Sequence, residues 1–147
     1  MVKIYTASSW KNQLYPEVVR ALRTAGHEVY DYREAISSEG KQLAFDWDQI
    51  DPNWESWTSE QFQRAMSHEL AINAFASDKA GMDWADIGVL VLPCGKSSHM
   101  EAGYMVGRNK KVYILLDGGR PELTYKLSHN MFISIPELVK GIEQDGQ

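Results

Sequence analysis

The stretch Val89-Leu90-Val91-Leu92-Pro93-Cys94-Gly95-Lys96-Ser97-Ser98-His99-Met100-Glu101-Ala102-Gly103-Tyr104 decides the fold. An apolar run ends in proline, glycine and two serines, and a carboxylate then precedes small residues at helical spacing. We interpret this order as a buried strand over 87–92, a tight loop, and a helix over 99–106 that ends at Gly107. Ligands of open α/β sheets bind outside the carboxyl ends of such strands, so we expect half of an active site here.

Strand-like and helix-like segments alternate on both sides of this stretch. The pattern predicts strands over 2–6, 27–32, 111–116 and 131–134, and helices over 16–25 and 135–144. Gly26 is placed to end the first of these helices, and Pro136 lies in the first turn of the last. Strand–helix–strand units imply parallel strands and right-handed crossovers. The sequence therefore predicts one domain over 1–147, an α/β flavodoxin-like or Rossmann-like three-layer sandwich with a parallel sheet of about five strands.

The segment 33–57 has no clean period, but it is rich in aromatic residues. A connection of this length is typical of a functional loop or lid. Trp47 in this segment offers an aromatic stacking surface or is simply a core residue. The carboxylates of Asp46, Asp48 and Asp51 suggest a divalent cation, but their spacing lacks the glycine and terminal glutamate of an EF-hand and favours a solvated lid.

A capping box marks the start of the next helix. Thr58-Ser59-Glu60-Gln61 has the required spacing, so we expect a helix from there through Phe75. This helix continues or restarts through Ser77-Asp78 to Trp84, and Asp86 then precedes the central strand.

Composition and charge exclude several classes of function. The chain has 147 residues, a net charge of −5 and a pI near 5.3, which disfavours binding to a nucleic-acid polymer. Cys94 is the only cysteine, so no intrachain disulfide can form. We expect Cys94 to be buried and to pack as a small hydrophobic side chain. No segment reaches the apolar length of a membrane span, and the N-terminus lacks the apolar run of a signal peptide. We expect a cytoplasmic protein without membrane contact.

Two loops are expected to meet at the ligand crevice. One carries Ser8, Ser9 and Trp10 after the first strand, and the other carries Gly95, Ser97 and Ser98 after the central strand. Neither loop matches G-x-G-x-x-G or the phosphate loop G-x-x-x-x-G-K-[ST]. We therefore expect a ligand that is smaller than NAD or that is held without the residues of a phosphate loop. We also expect neither a cofactor nor a metal.

Glu101 and Asp78 each allow a structural and a catalytic interpretation. Ser98-His99-Met100-Glu101 is itself a capping-box pattern, in which Glu101 would only satisfy a backbone N–H. Asp78 is most simply a solvated helix residue or an N-cap. In the catalytic interpretation both side chains reach the crevice, and two carboxylates near one glycosidic bond are the usual apparatus for cleaving it.

Several of these residues resemble the nucleoside 2-deoxyribosyltransferase-like superfamily, which includes the 2′-deoxynucleoside 5′-monophosphate N-glycosidases. The resemblance rests on Asp78, on Asp86 eight residues later, and on Glu101 in the context Ser97-Ser98-His99-Met100-Glu101-Ala102-Gly103-Tyr104. The opening stretch Lys3-Ile4-Tyr5-Thr6-Ala7-Ser8-Ser9-Trp10 is similar to the first strand and ligand loop of the family. Gly95 stands where the transferases carry an acidic residue and phosphohydrolase-like members a serine, which leaves the substrate unassigned.

The resemblance implies an enzyme that cleaves the N-glycosidic bond of a nucleoside or nucleotide. Glu101 would attack C1′, Asp78 would protonate or orient the departing base, and water or a second base would resolve the glycosyl-enzyme with retention. Substrate contacts are expected from Ser8, Ser9, Trp10, Gly95, Ser97, Ser98, Trp47 and Asn130. Asn130 lies in Leu127-Ser128-His129-Asn130-Met131, which resembles the stretch that transferases extend into a neighbouring subunit's site. The family habit of sharing sites implies a homodimer or higher homo-oligomer.

Two other functions compete with this enzyme. One is a non-catalytic nucleotide-binding or sensor module on the same fold, with Glu101 only a helix cap. The other is a flavodoxin-like redox protein, in which Ser8-Ser9 would belong to an FMN phosphate loop.

Overall fold

A computed structural model describes residues 1–146 of the chain. They contain a five-stranded parallel sheet. Its strands are β1 (Lys3–Ala7), β2 (Glu28–Tyr30), β3 (Ile87–Val91), β4 (Lys111–Leu115) and β5 (Asn130–Phe132). Their order in the sheet is β2-β1-β3-β4-β5, and every neighbouring pair is parallel. This is the flavodoxin-like strand order, so the predicted fold class is confirmed.

Within residues 1–146, five helices alternate with the strands along the chain. They are α1 (Tyr15–Thr24), α2 (Ser59–Ala65), α3 (Glu69–Trp84), α4 (Lys96–Gly107) and α5 (Ile135–Asp145). α1 packs beside α5, and α4 packs against β1, β3 and β4. All five residues of β3 are buried, because helices cover both faces of a central parallel strand.

The chain divides into two compact units. The first contains residues 1–31 and 82–146 and carries the whole sheet. The second is Tyr32–Gly81, which contains α2, most of α3, and short 3-10 helices at Tyr32–Glu34, Trp47–Gln49 and Trp54–Ser56. The segment 33–57 is therefore irregular, as the sequence indicates.

The helix predicted after Thr58 is interrupted. The capping box of Thr58 and Gln61 is present as predicted, but α2 ends at Ala65 and α3 begins at Glu69. His68 explains the restart, because its Nδ1 accepts a hydrogen bond of 3.1 Å from the backbone N–H of Leu70. The side chain thus satisfies one of the free N–H groups at the start of α3.

A close approach of α5 to β5 gives a prediction for stability. A Cβ at Gly141 would lie 2.1 Å from the ring of Phe132, so Gly141→Ala forces the ring or the helix to move. We expect a loss of about 1–3 kcal/mol in the free energy of unfolding, measured by chemical denaturation. Gly103→Ala is the matched control, because a Cβ there meets no atom within 4 Å and alanine favours the helix. Equal stability of the two variants would contradict this packing.

Candidate active site

The structure rejects the capping box at Ser98. α4 begins at Lys96, three residues earlier than predicted, with Gly95 as its N-cap. Ser98 therefore lies inside the first turn, where its hydroxyl donates a hydrogen bond of 2.8 Å to the carbonyl of Ser8. Glu101 lies in the second turn, beyond the reach of a capping role.

Glu101 is held by a tyrosine from the first strand. The hydroxyl of Tyr5 donates a short hydrogen bond to Oε2 of Glu101. The Tyr5 ring is buried and stacks on Tyr30, with ring centroids 5.2 Å apart and an interplanar angle of 12°. Because Tyr5 and Tyr30 are register partners in β1 and β2, the sheet itself fixes the phenol that orients the carboxylate.

A hydrogen-bond network joins the two loops that the sequence predicts to meet. The hydroxyl of Ser8 donates to the carbonyl of Val91 (2.8 Å), and the side-chain amide of Asn12 donates to the Ser8 hydroxyl (3.0 Å). Asn12 also donates to the carbonyl of Pro93, at 3.2 Å. Ser8, Asn12 and Ser98 are buried. Because the hydroxyls of Ser8 and Ser98 each bind a carbonyl on the other side, these two residues hold the loops together.

Other predicted contact residues of these loops lie nearer the solvent. Ser9 is half-buried, and its hydroxyl accepts a hydrogen bond from the N–H of Lys11. Trp10 is 50% exposed, and Gly95 and Ser97 are exposed as well. A Cβ at Gly95 would meet no atom within 4 Å, so the space beside the start of α4 is open.

Asp78 and Asp86 belong to different parts of the chain. Asp78 is half-buried and lies within α3, so it is not an N-cap, and it belongs to the second unit. Asp86 precedes β3, and its Oδ2 accepts a hydrogen bond of 2.9 Å from the N–H of Lys3. Asp86 is therefore a structural residue that ties the start of β1 to the central strand.

Tyr104 and Lys110 hold the C-terminal end of α3. The Tyr104 hydroxyl donates to Oδ1 of Asp83 at 2.5 Å. The ammonium group of Lys110 donates to the carbonyls of Met82, Asp83 and Ala85 at 2.7, 2.9 and 2.6 Å. A cation at this position also complements the negative end of the helix dipole.

Trp47 packs within an aromatic cluster of the second unit. Its ring lies 4.8, 5.8 and 5.5 Å from the rings of Phe45, Trp57 and Phe62. Two carboxylates nearby cap local turns, since Asp46 accepts from the N–H of Asp48 and Asp51 accepts from the N–H of Asn53. Within the described part of the chain, no group of three potential metal ligands is placed to hold an ion.

Asn130 is exposed at the start of β5, and its Oδ1 accepts from the N–H of Met131. A contribution of Asn130 to a neighbouring subunit stays a prediction.

Among the helices of residues 1–146, none has both the length and the apolar content needed to cross a membrane.

Cys94 lies beside the site but is a poor nucleophile. Burial is the main reason that the pKa of its thiol rises from 9.0 to about 11; a hydrogen bond with Ser98 lowers this pKa, and the charges of Asp117 and Glu101 contribute to the rise. We expect alkylation by iodoacetamide at pH 8 to be about a hundredfold slower in the folded protein than in denaturant, because only the thiolate reacts. Mass spectrometry of timed samples measures both rates, and equal rates would contradict the burial of this thiol.

Sequence reasoning missed Tyr5 and Asn12 as site residues. Tyr5 lies in the first strand and Asn12 in the loop after it, where the topology predicts a ligand loop. This position in the chain is the feature that could have identified them as site residues. Their partners are far along the chain, because Tyr5 contacts Glu101 and Asn12 contacts Val91 and Pro93.

Comparison with known proteins supports the fold. No protein-family model matches the chain, and no curated protein matches it in sequence. The structure is similar to that of a 2-deoxyribosyltransferase from the psychrotolerant bacterium Bacillus psychrosaccharolyticus, with 20% identity, a TM-score of 0.59, and coverage of 92% of this chain and 89% of that chain. It is also similar to the CMP N-glycosidase BcmB of Clostridium botulinum, with 13% identity, a TM-score of 0.51, and coverage of 95% and 97%. These similarities confirm that the chain shares its fold with a 2-deoxyribosyltransferase and a CMP N-glycosidase, the fold that the resemblance implies.

Proposed function

We propose that this protein, acting as one nucleoside 2-deoxyribosyltransferase-like domain, is a nucleoside or nucleotide N-glycosidase or deoxyribosyltransferase. The observation that carries the proposal is the hydrogen bond from the buried Tyr5 hydroxyl to Glu101. Because this phenol holds a carboxylate on the helix that follows β3, we expect the carboxylate to serve as a nucleophile at the expected ligand crevice. The two structural neighbours, a deoxyribosyltransferase and a CMP N-glycosidase, support the same class of reaction.

The proposed reaction has two displacements at C1′. An oxygen of Glu101 forms a bond to C1′ while the bond from C1′ to the base nitrogen breaks. The electron pair of that bond stays on the base, which takes a proton from Asp78. Water or a second base then attacks C1′, the carboxylate leaves, and the proton of the attacking group passes to Asp78. Two inversions give net retention.

The remaining proposed roles concern binding. Trp10 is half-exposed two residues after the buried Ser8, and its proposed role is to stack its ring on the base. The same two loops carry Ser9, Gly95 and Ser97, which are proposed to contact the substrate. Further proposed substrate contacts are Trp47 and Asn130. Asn130 acts within a homodimer or higher oligomer, as the family resemblance implies. The protein is proposed to be cytoplasmic and to need no cofactor.

The sensor-module alternative loses its main support. It requires Glu101 as the cap of its own helix, whereas Gly95 is the N-cap of α4. The flavodoxin alternative requires a bound flavin, so a colourless protein purified under gentle conditions would exclude it.

A product screen tests the proposed function. The protein is incubated with adenosine, cytidine, their 2′-deoxy analogues and the 5′-monophosphates of each, and free base is measured by chromatography. A parallel series contains a second free base, so that exchange separates transferase from hydrolase activity. We expect release or exchange with at least one compound. If neither occurs with any compound, the enzymatic proposal fails.

A further inference from the structure

A chain of hydrogen bonds through His99 lies beside the proposed mechanism but has no part in it. Nδ1 of His99 is 2.7 Å from the carbonyl oxygen of Gly95, and Nε2 is 2.8 Å from the hydroxyl of Tyr125. A carbonyl can only accept, so Nδ1 carries the proton of the neutral ring and Nε2 accepts from Tyr125. His99 thereby links the N-cap of α4 to the 3-10 helix Leu123–Leu127.

The aromatic ring of Tyr125 strengthens this link. The rings of His99 and Tyr125 stack, with centroids 5.8 Å apart and an interplanar angle of 17°. Burial raises the pKa of Tyr125, and neighbouring negative charges raise it further. The hydroxyl therefore keeps the proton that it donates to His99.

Apolar packing alone does not attach the 3-10 helix to α4. A cavity of about 130 Å³ lies between them, lined by side chains that include Leu90, Val106 and Leu127. Leu123 and Leu127 are 82% and 64% exposed. Because an unfilled space removes dispersion contacts, the polar link through His99 is an important attachment of this segment.

The start of α4 depends on side chains outside its cap. Gly95 has no side chain with which to cap the helix, and the backbone N–H of His99 reaches the Gly95 carbonyl only at 3.4 Å. The ring of His99 binds the same carbonyl at 2.7 Å. Ser98 ties the adjacent position to the carbonyl of Ser8, so two consecutive residues hold this turn from two directions.

We propose that His99 is a positioning residue for substrate binding. It holds the Gly95 peptide and the first turn of α4 in place through its link to Tyr125, so that Gly95 and Ser97 face the substrate in one conformation. The inference rests on the proposed function. Its expected signature is weaker substrate binding with little change in turnover, since the Tyr5 and Glu101 pair does not involve His99.

Substitutions of His99 test the proposal in the full chain, at a temperature where each variant is folded. With the panel compound that wild type cleaves fastest, His99→Phe keeps a ring but loses both hydrogen bonds. We expect its KM to rise about tenfold, with kcat within about threefold. His99→Asn places a side-chain amide nitrogen where Nδ1 lies but cannot reach Tyr125, so we expect a KM between those of wild type and His99→Phe. A role in stability alone would lower the melting temperature and leave KM unchanged.

Tyr125→Phe tests the second half of the link. We expect a smaller rise in KM than for His99→Phe, and no further rise when the two substitutions are combined. A wild-type KM in His99→Phe would overturn the proposal, as would effects that add fully in the double variant.

The ring tautomer gives a test that does not depend on activity. Long-range ¹⁵N–¹H spectra of the full chain at neutral pH are expected to show the proton of His99 on Nδ1. A proton on Nε2 would overturn the link. If wild type cleaves no panel compound, the proposed function fails, and the tautomer then decides whether His99 holds Gly95.

Discussion

The Glu101→Gln variant is expected to lose base release by about a thousandfold or more, because glutamine keeps the shape of the side chain but cannot act as the nucleophile. The structure makes this a clean substitution, since the amide oxygen of glutamine can still accept from the Tyr5 hydroxyl. The measurement is the initial rate of base release with the best panel compound. Intact mass spectrometry of the wild type, quenched during turnover, is expected to show a glycosyl adduct that the variant lacks.

Tyr5→Phe, compared with a control variant, separates the effect of the Glu101 carboxylate on catalysis from the effect of its orientation. Tyr5→Phe keeps the ring stacked on Tyr30 but removes the donor, and we expect kcat to fall by about tenfold to a hundredfold. Glu143→Gln is the matched control, because this exposed glutamate of α5 lies outside the proposed site. Base release that survives in Glu101→Gln at the wild-type rate would exclude Glu101 as the nucleophile.

Asp78→Asn is expected to lower base release by about a hundredfold or more for unmodified bases, since general acid catalysis typically contributes that much. The effect should depend on the leaving group. In 7-methyl-2′-deoxyguanosine the base already carries a positive charge and departs without a proton. We therefore expect the variant to cleave this compound at nearly the wild-type rate, whereas Glu101→Gln loses both reactions.

Glu69→Gln is the matched control for Asp78→Asn. Glu69 is an exposed carboxylate in the first turn of the same helix, so its removal tests for a general effect of charge on α3. Equal loss of activity toward the charged and the uncharged base in Asp78→Asn would contradict the role of a general acid.

The fold was largely predictable because its signals are local. The apolar run of β3, the stop at Gly26 and the Pro136 start of α5 each act within a few residues, and the structure confirms them. The restart at α3 was less visible, because the cap is a histidine side chain bonded two residues ahead. Histidine is not among the residues that usually mark a helix start.

The candidate site was only partly predictable because its decisive contacts are distant in sequence. Ser98 and Glu101 fit a capping box by spacing, but the Ser98 hydroxyl binds a carbonyl that is 90 residues away. Tyr5 and Glu101 are 96 residues apart, and no local pattern indicates that their side chains meet. Strand order and register bring these groups together, and spacing alone does not report them.

The network between the two loops also suggests how substrate preference can change without loss of the fold. Its donors are the side chains of Ser8, Asn12 and Ser98, and most of its acceptors are backbone carbonyls, which every amino acid provides. The exposed positions 96 and 97 are outside this set of donors and are therefore expected to vary while the loops keep their shape. A directed library that randomises these two positions and retains the three donors would test new substrates on an unchanged pair of loops.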